Sequence, residues 1–326
     1  MLKPLAGFLT LGLALTACAT HQDPADPTTP SAASSSAPVD QRAHLKVDGV
    51  SRAFLLHRPA ATKAPKPLVI AFHGRGETAD RMRDRTRLNT ATAARGMLIA
   101  YPEGLHKGWG AGTARTERRP DPDADVRFAE ALVDELVRTE GADPRRVYVV
   151  GFSNGGSMAL RIAAQRPRLV AAAGAVAAQL PTGSAEVKPT GPVPLLLIHG
   201  ADDPVRPLAG RPAGDPPNPG DEPITPTRST RATAEAFAAK GPHGKADETA
   251  AAGYDRTDWS SPKAPVELLV MHDAGHTWPG SPEKPSKGFG RTSTALDATT
   301  TILDFLVKPE GNPAGSNLED NPGAQP

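Results

Sequence analysis

Short apolar segments alternate with segments of helical periodicity through most of the chain, and this alternation most constrains the fold. The apolar segments are PLVIAFH, MLIAYP, RVYVVGF, LVAAAGAV, VPLLLIHG and VELLVMH, preceded by an antiparallel pair in HLKVDGVSRAFLLHRP. The helical segments are RLNTATAARG, DVRFAEALVDELVRTEG, NGGSMALRIAAQRP, TRATAEAFAAKG and STALDATTTILDFLV. In the longest of them, Phe128, Leu132 and Leu136 form one apolar stripe. Strands that are apolar on both faces and alternate with such helices predict an α/β fold, with a mostly parallel sheet covered by helices on both faces.

The ends of the chain differ in composition from its middle. Residues 1–18 contain one lysine and an apolar stretch, and they end in LTAC, which resembles the lipobox of bacterial lipoproteins. The resemblance implies that Cys18 is lipidated and anchors the protein to a membrane outside the cytoplasm; the alternative is an ordinary secretory signal with an incidental cysteine. Residues 19–40 and 308–326 carry too few apolar side chains to fold, so we expect a disordered tether and tail around a catalytic domain at 41–307.

The balance of charge limits the class of partner. Lys and Arg number 37 and Asp and Glu 36, so the net charge offers no general attraction for nucleic acid. We therefore expect a roughly neutral partner. The histidines and carboxylates lack the paired spacing of metal ligands, and the glycine-rich segments lack the lysine of a phosphate-binding loop. No metal and no cofactor are predicted.

Side chains suited to acyl transfer follow several of the predicted strands. Ser153 follows VYVV, an aspartate pair ending at Asp203 follows LLLIHG, and two histidines ending at His276 follow ELLVM. The carboxyl ends of parallel strands meet at one crevice, so these groups are expected to converge. The chain order Ser, Asp, His is that of α/β-hydrolases. A serine hydroxyl needs such a base and carboxylate to act as a nucleophile.

The segment GFSNGGS surrounds Ser153 with small residues. Glycines there are common in any turn, but they also suit a strained strand-to-helix corner that points a serine hydroxyl out of the sheet. The oxyanion of the tetrahedral intermediate needs backbone donors. We assign these to the N–H of Asn154 and to one from Gly74 or Arg75, in the segment HGRGE.

Five segments together resemble one known family. HGRGE, YPEGLHKGWGAG, ADPRRVYVVGFSNGGSMALRIA, LLLIHGADDPV and VELLVMHDAGHTWPG are similar to the poly(3-hydroxybutyrate) depolymerase and feruloyl esterase group of α/β-hydrolases, in order from about His44 to Val307. The resemblance implies that Ser153 is the nucleophile, Asp203 the acid and His276 the base. The neighbours Asp202 and His272 lie nearer their strands and are the alternatives.

Other residues bear on the substrate. Many members of that family have a cysteine where this chain has Arg75, which could crowd the acyl site, bind a carboxylate or phosphate, or be solvated. Trp109 and Trp278 lie on loops expected to border the crevice, and we predict that they contact an acyl chain or an aromatic ring. The Pro-rich segment after Asp203 could form a wall of the crevice or a solvated insertion.

These features predict a secreted, lipid-anchored serine esterase that works through an acyl-enzyme. Polyhydroxyalkanoates and feruloylated or acetylated polysaccharides are the expected substrates, so the substrate could be polymeric. Two alternatives remain open at this point. One is a serine peptidase on the same fold, and the other is a surface lipoprotein that binds a polymer without catalysis.

Overall fold

A computed structural model describes residues 39–60, 65–216, 222–242 and 244–308. The predicted signal sequence with Cys18, the tether as far as residue 38 and the tail beyond residue 308 lie outside the described residues. Within the described ranges no helix is both long enough and apolar enough to cross a membrane.

In the described residues, ten strands form a single sheet in the order β1-β2-β4-β3-β5-β6-β7-β10-β9-β8. The six strands from β4 to β10 in that order run parallel, and antiparallel pairs extend both edges. The strands are β1 (Val39–Val47), β2 (Val50–Arg58), β3 (Lys66–Phe72), β4 (Leu98–Pro102), β5 (Ala142–Phe152), β6 (Ala172–Val176), β7 (Leu195–Gly200), β8 (Asp247–Ala251), β9 (Tyr254–Trp259) and β10 (Val266–Met271).

Helices cover both faces of this sheet. The helices are α1 (Ala79–Thr86), α2 (Leu88–Ala93), α3 (Ala124–Glu140), α4 (Asn154–Gln165), α5 (Thr230–Ala238) and α6 (Ala298–Leu306). One core cluster packs α3, α4 and α5 against one face, and a second packs α1, α2 and α6 against the other. The predicted α/β fold, with a mostly parallel sheet between two layers of helices, is confirmed.

The segments that the sequence did not predict are those with little apolar periodicity. Helix α1 is rich in arginine, and every residue of β8 is exposed, so neither carries the pattern of a half-buried element. Helix α6 begins later than the predicted segment because the Asp297 side chain accepts the N–H of Thr300 at 2.8 Å and caps the helix there.

Candidate active site

Three side chains from different loops form one continuous hydrogen-bonded chain at the carboxyl edge of the sheet. Nδ1 of His276 lies 2.7 Å from Oδ2 of Asp203, and its Nε2 lies 2.8 Å from Oγ of Ser153. A carboxylate can only accept, so Nδ1 carries the proton and the serine hydroxyl donates to Nε2. This is the arrangement in which an imidazole can take the proton of a nucleophilic serine.

Ser153 occupies a strained corner between β5 and α4. Its φ of 55° and ψ of −117° lie in a region that non-glycine residues rarely adopt. The turn is tight: a Cβ at Gly151 would lie 2.2 Å from the carbonyl oxygen of Gly155, and a Cβ at Gly155 would lie 2.1 Å from that of Phe72. The glycines of GFSNGGS are therefore required by close backbone approach and not only by a turn.

The loop after β7 holds the carboxylate in place. Asp203 is buried, and its Oδ1 accepts the backbone N–H groups of Val205 at 2.8 Å and Arg206 at 2.7 Å. Burial by itself would raise the pKa of Asp203, but the hydrogen bond and charge of His276 and the N–H of Arg206 hold that pKa below its usual value. Asp202 is exposed, and the structure does not bring it to His276.

The loop after β10 places His276 over the serine. Its ring is 2% exposed and packs between Phe152 and Phe289, with centroids 5.1 and 5.2 Å away. Burial lowers the pKa of His276 despite the opposing effect of Asp203. The imidazole is therefore held neutral and ready to accept a proton. His272 lies on the surface, 3.1 Å from Asp255, and takes no part in this chain of contacts.

Two backbone N–H groups are available for an oxyanion beside Ser153. No acceptor from the described residues takes the N–H of Asn154 or that of Arg75. The N–H of Gly74 already donates to Oε2 of Glu77 at 3.1 Å. Of the two N–H groups predicted to act together with that of Asn154, the structure therefore leaves that of Arg75 available. Because the half-buried carboxylate of Glu77 already accepts this N–H, the N–H of Gly74 is less available to an oxyanion than that of Arg75.

His73 supports the turn that presents Arg75. The N–H of Gly104 donates to Nε2 of His73 at 3.0 Å, so its Nδ1–H donates to the carbonyl of Gly74 at 2.7 Å. Burial lowers the pKa of His73, which keeps the ring neutral. With both nitrogens engaged, His73 acts as a structural support.

The two tryptophans are more buried than expected. Trp109 is 2% exposed, and its backbone N–H and carbonyl are both hydrogen-bonded to the Asn154 side chain. Its Nε1 donates to the carbonyl of His73 at 2.9 Å, and the residue lines the cavity described next. Trp278 is 1% exposed, and its Nε1 donates to Oγ1 of Thr299 at 3.0 Å within the core. Trp278 packs in the core under α6 and does not line the cavity beside Asn154, but it lines a cavity of about 20 Å³ together with His276. Its contact with substrate stays a prediction.

A cavity of about 80 Å³ opens beside Asn154. Its walls come from the loops after β3, β4 and β6 and from the Pro-rich segment, which contributes Arg206, Arg211 and Glu222. Arg75 also lines it. Sequence reasoning did not assign Arg206, Arg211 or Glu222 to the site; the only available signal was their place in the long insertion after Asp203.

Hydrogen bonds fasten the described part of the Pro-rich segment over the cavity. The backbone N–H of Gly214 donates to the carbonyl of Ile224 at 3.2 Å, and the N–H of Ile224 donates to the carbonyl of Gly214 at 2.8 Å. Oε2 of Glu222 accepts from Arg119 at 3.1 Å across the cavity, and Oγ1 of Thr227 donates to Oε1 of Gln179 at 2.8 Å. This segment is therefore a wall of the crevice. Within the described residues no group of three or more His, Cys, Asp or Glu side chains is arranged to hold a metal.

Comparison with known proteins agrees with this geometry. Residues 59–213 match the phospholipase/carboxylesterase family. NocK of Nocardia uniformis subsp. tsuyamanensis, whose name assigns it to the esterases, is 44% identical over 282 residues, which cover 80% of this chain and 80% of NocK. Feruloyl esterase B of Piromyces equi is 28% identical over 144 residues, which cover 42% of this chain and 26% of that protein.

The fold also matches a solved structure. Acetyl xylan esterase from Aspergillus awamori superimposes with a TM-score of 0.52 at 15% identity, covering 73% of this chain and 94% of that one. The identity is too low to carry more than the fold. The extent of the similarity to NocK, together with the family match, shows that the chain belongs to the phospholipase/carboxylesterase family of α/β-hydrolases and is a serine hydrolase of carboxylic esters.

Proposed function

We propose that this protein hydrolyses carboxylic esters through an acyl-enzyme on Ser153. The observation that carries the proposal is the continuous chain from Oγ of Ser153 through His276 to Asp203, with links of 2.8 and 2.7 Å. In this chain a buried carboxylate fixes the tautomer of a buried imidazole, and the imidazole accepts a hydrogen bond from a serine in a strained backbone conformation. A non-catalytic binding protein has no need of these contacts. This arrangement is costly to fold and useful for acyl transfer.

In the first half of the reaction, Oγ of Ser153 attacks the carbonyl carbon of the ester while its proton passes to Nε2 of His276. Asp203 holds Nδ1 and stabilises the imidazolium. The N–H groups of Asn154 and Arg75 stabilise the oxyanion, each contributing about 3 to 4 kcal/mol to the transition state. The carbon–oxygen bond to the alcohol then breaks as His276 returns its proton to the leaving oxygen.

The second half releases the acid. Water gives a proton to Nε2 of His276 and attacks the acyl carbon; the new tetrahedral intermediate collapses, and Oγ of Ser153 regains a proton as it leaves. The carboxylic acid departs and the enzyme is restored. Each proton is accounted for by the one imidazole, so the described residues suffice for the chemistry.

We propose short acyl esters as the first substrate class to examine. The cavity beside Asn154 is small, at about 80 Å³, and Ser153 does not line it, so esters with a short acyl group are the first to examine. Feruloyl esters are supported by the similarity to Feruloyl esterase B, and acetyl esters by the 24% identity over 162 residues to bifunctional acetylxylan esterase/xylanase XynS20E of Neocallimastix patriciarum. Polyhydroxyalkanoate remains a prediction that rests on the sequence motifs. We also retain the proposal that Cys18 anchors the protein outside the cytoplasm, supported by the LTAC motif.

The test is covalent labelling combined with a burst assay. Wild-type protein is expected to react with a fluorophosphonate and to release a burst of p-nitrophenol from p-nitrophenyl acetate, and Ser153→Ala is expected to do neither. Ser260→Ala is the matched control, because Ser260 is an exposed serine bonded only to Asp258 at 3.2 Å. A wild type that neither labels nor turns over short esters overturns the proposal. Faster turnover of the matching anilide would assign a peptidase instead.

A further inference from the structure

Four arginines line the cavity beside the candidate active site, and one of them, Arg119, donates to Oε2 of Glu222 at 3.1 Å. The other three are Arg75, Arg206 and Arg211. Arg75 comes from the loop after β3, and Arg206 and Arg211 come from the Pro-rich segment after Asp203; all three line the cavity. Their charges repel one another. Burial is the largest cause that lowers the pKa of Arg206, Arg211 and Arg75 lower it further, and Asp203 opposes them, so that this pKa falls to about 9. Arg206 is 8% exposed. The fold therefore concentrates positive charge in a confined space.

Arg206 is buried and Arg211 is half-buried, and among the described residues both lack the carboxylate partners that buried arginines usually have. Neither Arg206 nor Arg211 forms an ion pair with a carboxylate of the described residues. The guanidinium of Arg206 donates to Oγ of Ser157 at 3.2 Å, and Nε of Arg211 is buried with no acceptor among the described residues. Burying an unpaired charge costs several kcal/mol, so folding alone does not favour such a cluster.

Arg161, elsewhere in the same protein, shows what a structural buried arginine looks like. It is fully buried, and its NH1 donates to the carbonyls of Gly110, Gly112 and Pro122 at 2.7, 2.7 and 2.6 Å. Its NH2 also contacts the carboxylate of Asp123. Its side-chain donors are thus engaged by the protein itself. The cavity arginines are not satisfied in this way.

The carboxylate that lines the cavity is already shared. Glu222 accepts from Arg119 at 3.1 Å and from Oγ1 of Thr116, and it lies 3.7 Å from Arg75. The oxygens of Asp203 accept from His276 and from two backbone N–H groups. Neither of these two carboxylates can neutralise both Arg206 and Arg211, so the described residues leave positive charge in the cavity.

We propose that this cavity binds an anionic group of the ester substrate, and that a carboxylate is the group it fits. A guanidinium presents paired donors that match the two oxygens of a carboxylate. The cavity is lined by Asn154, the neighbour of Ser153, so the anionic group would lie a few atoms from the reacting carbonyl. This inference rests on the proposed function, since it places the group on an ester bound at Ser153.

The geometry favours the acyl part of the ester as the bearer of that carboxylate. The leaving oxygen must receive its proton from Nε2 of His276, and His276 does not line the cavity. The oxyanion donor Asn154 does line it, next along the chain from Ser153, which does not line it itself. The preferred substrate is therefore a monoester of a dicarboxylic acid, and a carboxylate on the alcohol is the second arrangement to compare.

The experiment compares charged and neutral esters of the same shape. One pair is the p-nitrophenyl monoester of glutaric acid and p-nitrophenyl 5-methylhexanoate, and the other is 3-acetoxybenzoate and 3-acetoxybenzamide. The ratio of kcat/KM, charged over neutral, is measured for wild type and Arg211→Gln. We expect Arg211→Gln to lower the ratio for at least one pair by about 10- to 100-fold, mostly through KM. The pair that responds identifies the part of the ester that carries the carboxylate.

Arg228→Gln is the matched control. Arg228 lies in the same region and carries the same charge, but it pairs with Glu186 at 2.7 Å and does not line the cavity, so its substitution is expected to leave the ratio unchanged. Arg75→Gln keeps the backbone N–H and serves as a second cavity variant in case Arg211→Gln does not fold. Glutarate is expected to inhibit competitively, with a weaker Ki in both cavity variants.

The outcomes separate this inference from the function on which it rests. Wild-type turnover of neutral esters together with ratios that neither cavity variant changes would overturn the anionic subsite and leave the esterase intact. Absence of labelling and of all turnover in the wild type would instead remove the esterase proposal. An equal fall of the ratio in Arg228→Gln would assign the effect to the general field of the loop, which also overturns the site.

Discussion

Replacing Gly155 with alanine tests whether close backbone packing assembles the oxyanion donors. A Cβ on Gly155 would lie 2.1 Å from the carbonyl oxygen of Phe72 and 2.4 Å from that of His73. Carbon and oxygen atoms need about 3 Å or more, so β3 and α4 must separate locally by about 1 Å. That shift moves the Arg75 N–H, on the loop after β3, away from the Asn154 N–H, at the start of α4.

The expected loss follows from these distances. A misplacement of about 1 Å in a site costs on the order of 100-fold, and loss of one oxyanion donor costs about 100- to 1,000-fold in kcat. Stability should fall by about 1 to 3 kcal/mol from overpacking, offset by about 1 kcal/mol from the better helix propensity of alanine. Gly155→Ala is therefore expected to lose activity out of proportion to its loss of stability.

The assay is kcat for p-nitrophenyl acetate together with thermal unfolding. Gly244→Ala is the matched control, since a Cβ there meets no atom within 4 Å, and its activity should not change. Fluorophosphonate labelling of Gly155→Ala should slow in parallel with kcat. A Gly155→Ala protein that keeps kcat within about threefold of wild type would refute the claim that this contact sets the donor spacing.

Two further predictions concern pH and anchoring. Protonated His276 cannot accept the proton of Ser153, and burial lowers the pKa of His276. We therefore expect kcat/KM, measured as a function of pH, to fall only as the pH drops below about 6.5. A fall with its midpoint above pH 7 would contradict this. Full-length protein expressed in bacteria should incorporate labelled palmitate and sediment with membranes, and Cys18→Ala should do neither; an unlabelled, unsedimented wild type would contradict the lipobox interpretation.

The positions of the candidate catalytic residues could be predicted because strand ends are local features of a sequence. A parallel strand buried on both faces is a continuous apolar run, and the first polar residues after it lie at the carboxyl edge of the sheet. Ser153, Asp203 and His276 each follow such a run within a few residues. Their convergence needed only the parallel topology, which the alternation of strands and helices already implied.

Periodicity alone does not decide between adjacent residues. The family resemblance favoured Asp203 over its neighbour Asp202, and in the structure the turn after β7 brings Asp203 to His276 and leaves Asp202 exposed. Gly74 and Arg75 both offered a backbone N–H, and the Glu77 carboxylate that occupies that of Gly74 could not be foreseen. Such choices depend on single torsion angles and on hydrogen-bond partners, which periodicity does not encode.

The tryptophans show a related limit. Both lie on loops beside the site, yet a large aromatic ring gains most by burial, and each indole N–H found a partner inside the protein. Trp109 lines the cavity beside Asn154, and Trp278 does not. Residue type and loop position therefore predicted that the two tryptophans lie near the site, but the packing of their rings decides whether they can contact the substrate.

The nearly balanced charge of the whole chain indicated a neutral partner, but the balance of a chain does not limit the charge of one cavity. Arg75 reaches the cavity from the loop after β3, and Arg206 and Arg211 reach it from a segment with no periodicity to read. The same segment supplies the backbone N–H of Arg206 that holds Asp203. One turn thus orients the triad carboxylate and presents a cation to the substrate. A substitution in that turn should therefore change catalysis and substrate preference together. At this position of the chain, substrate specificity cannot be altered without also affecting the geometry of the catalytic triad.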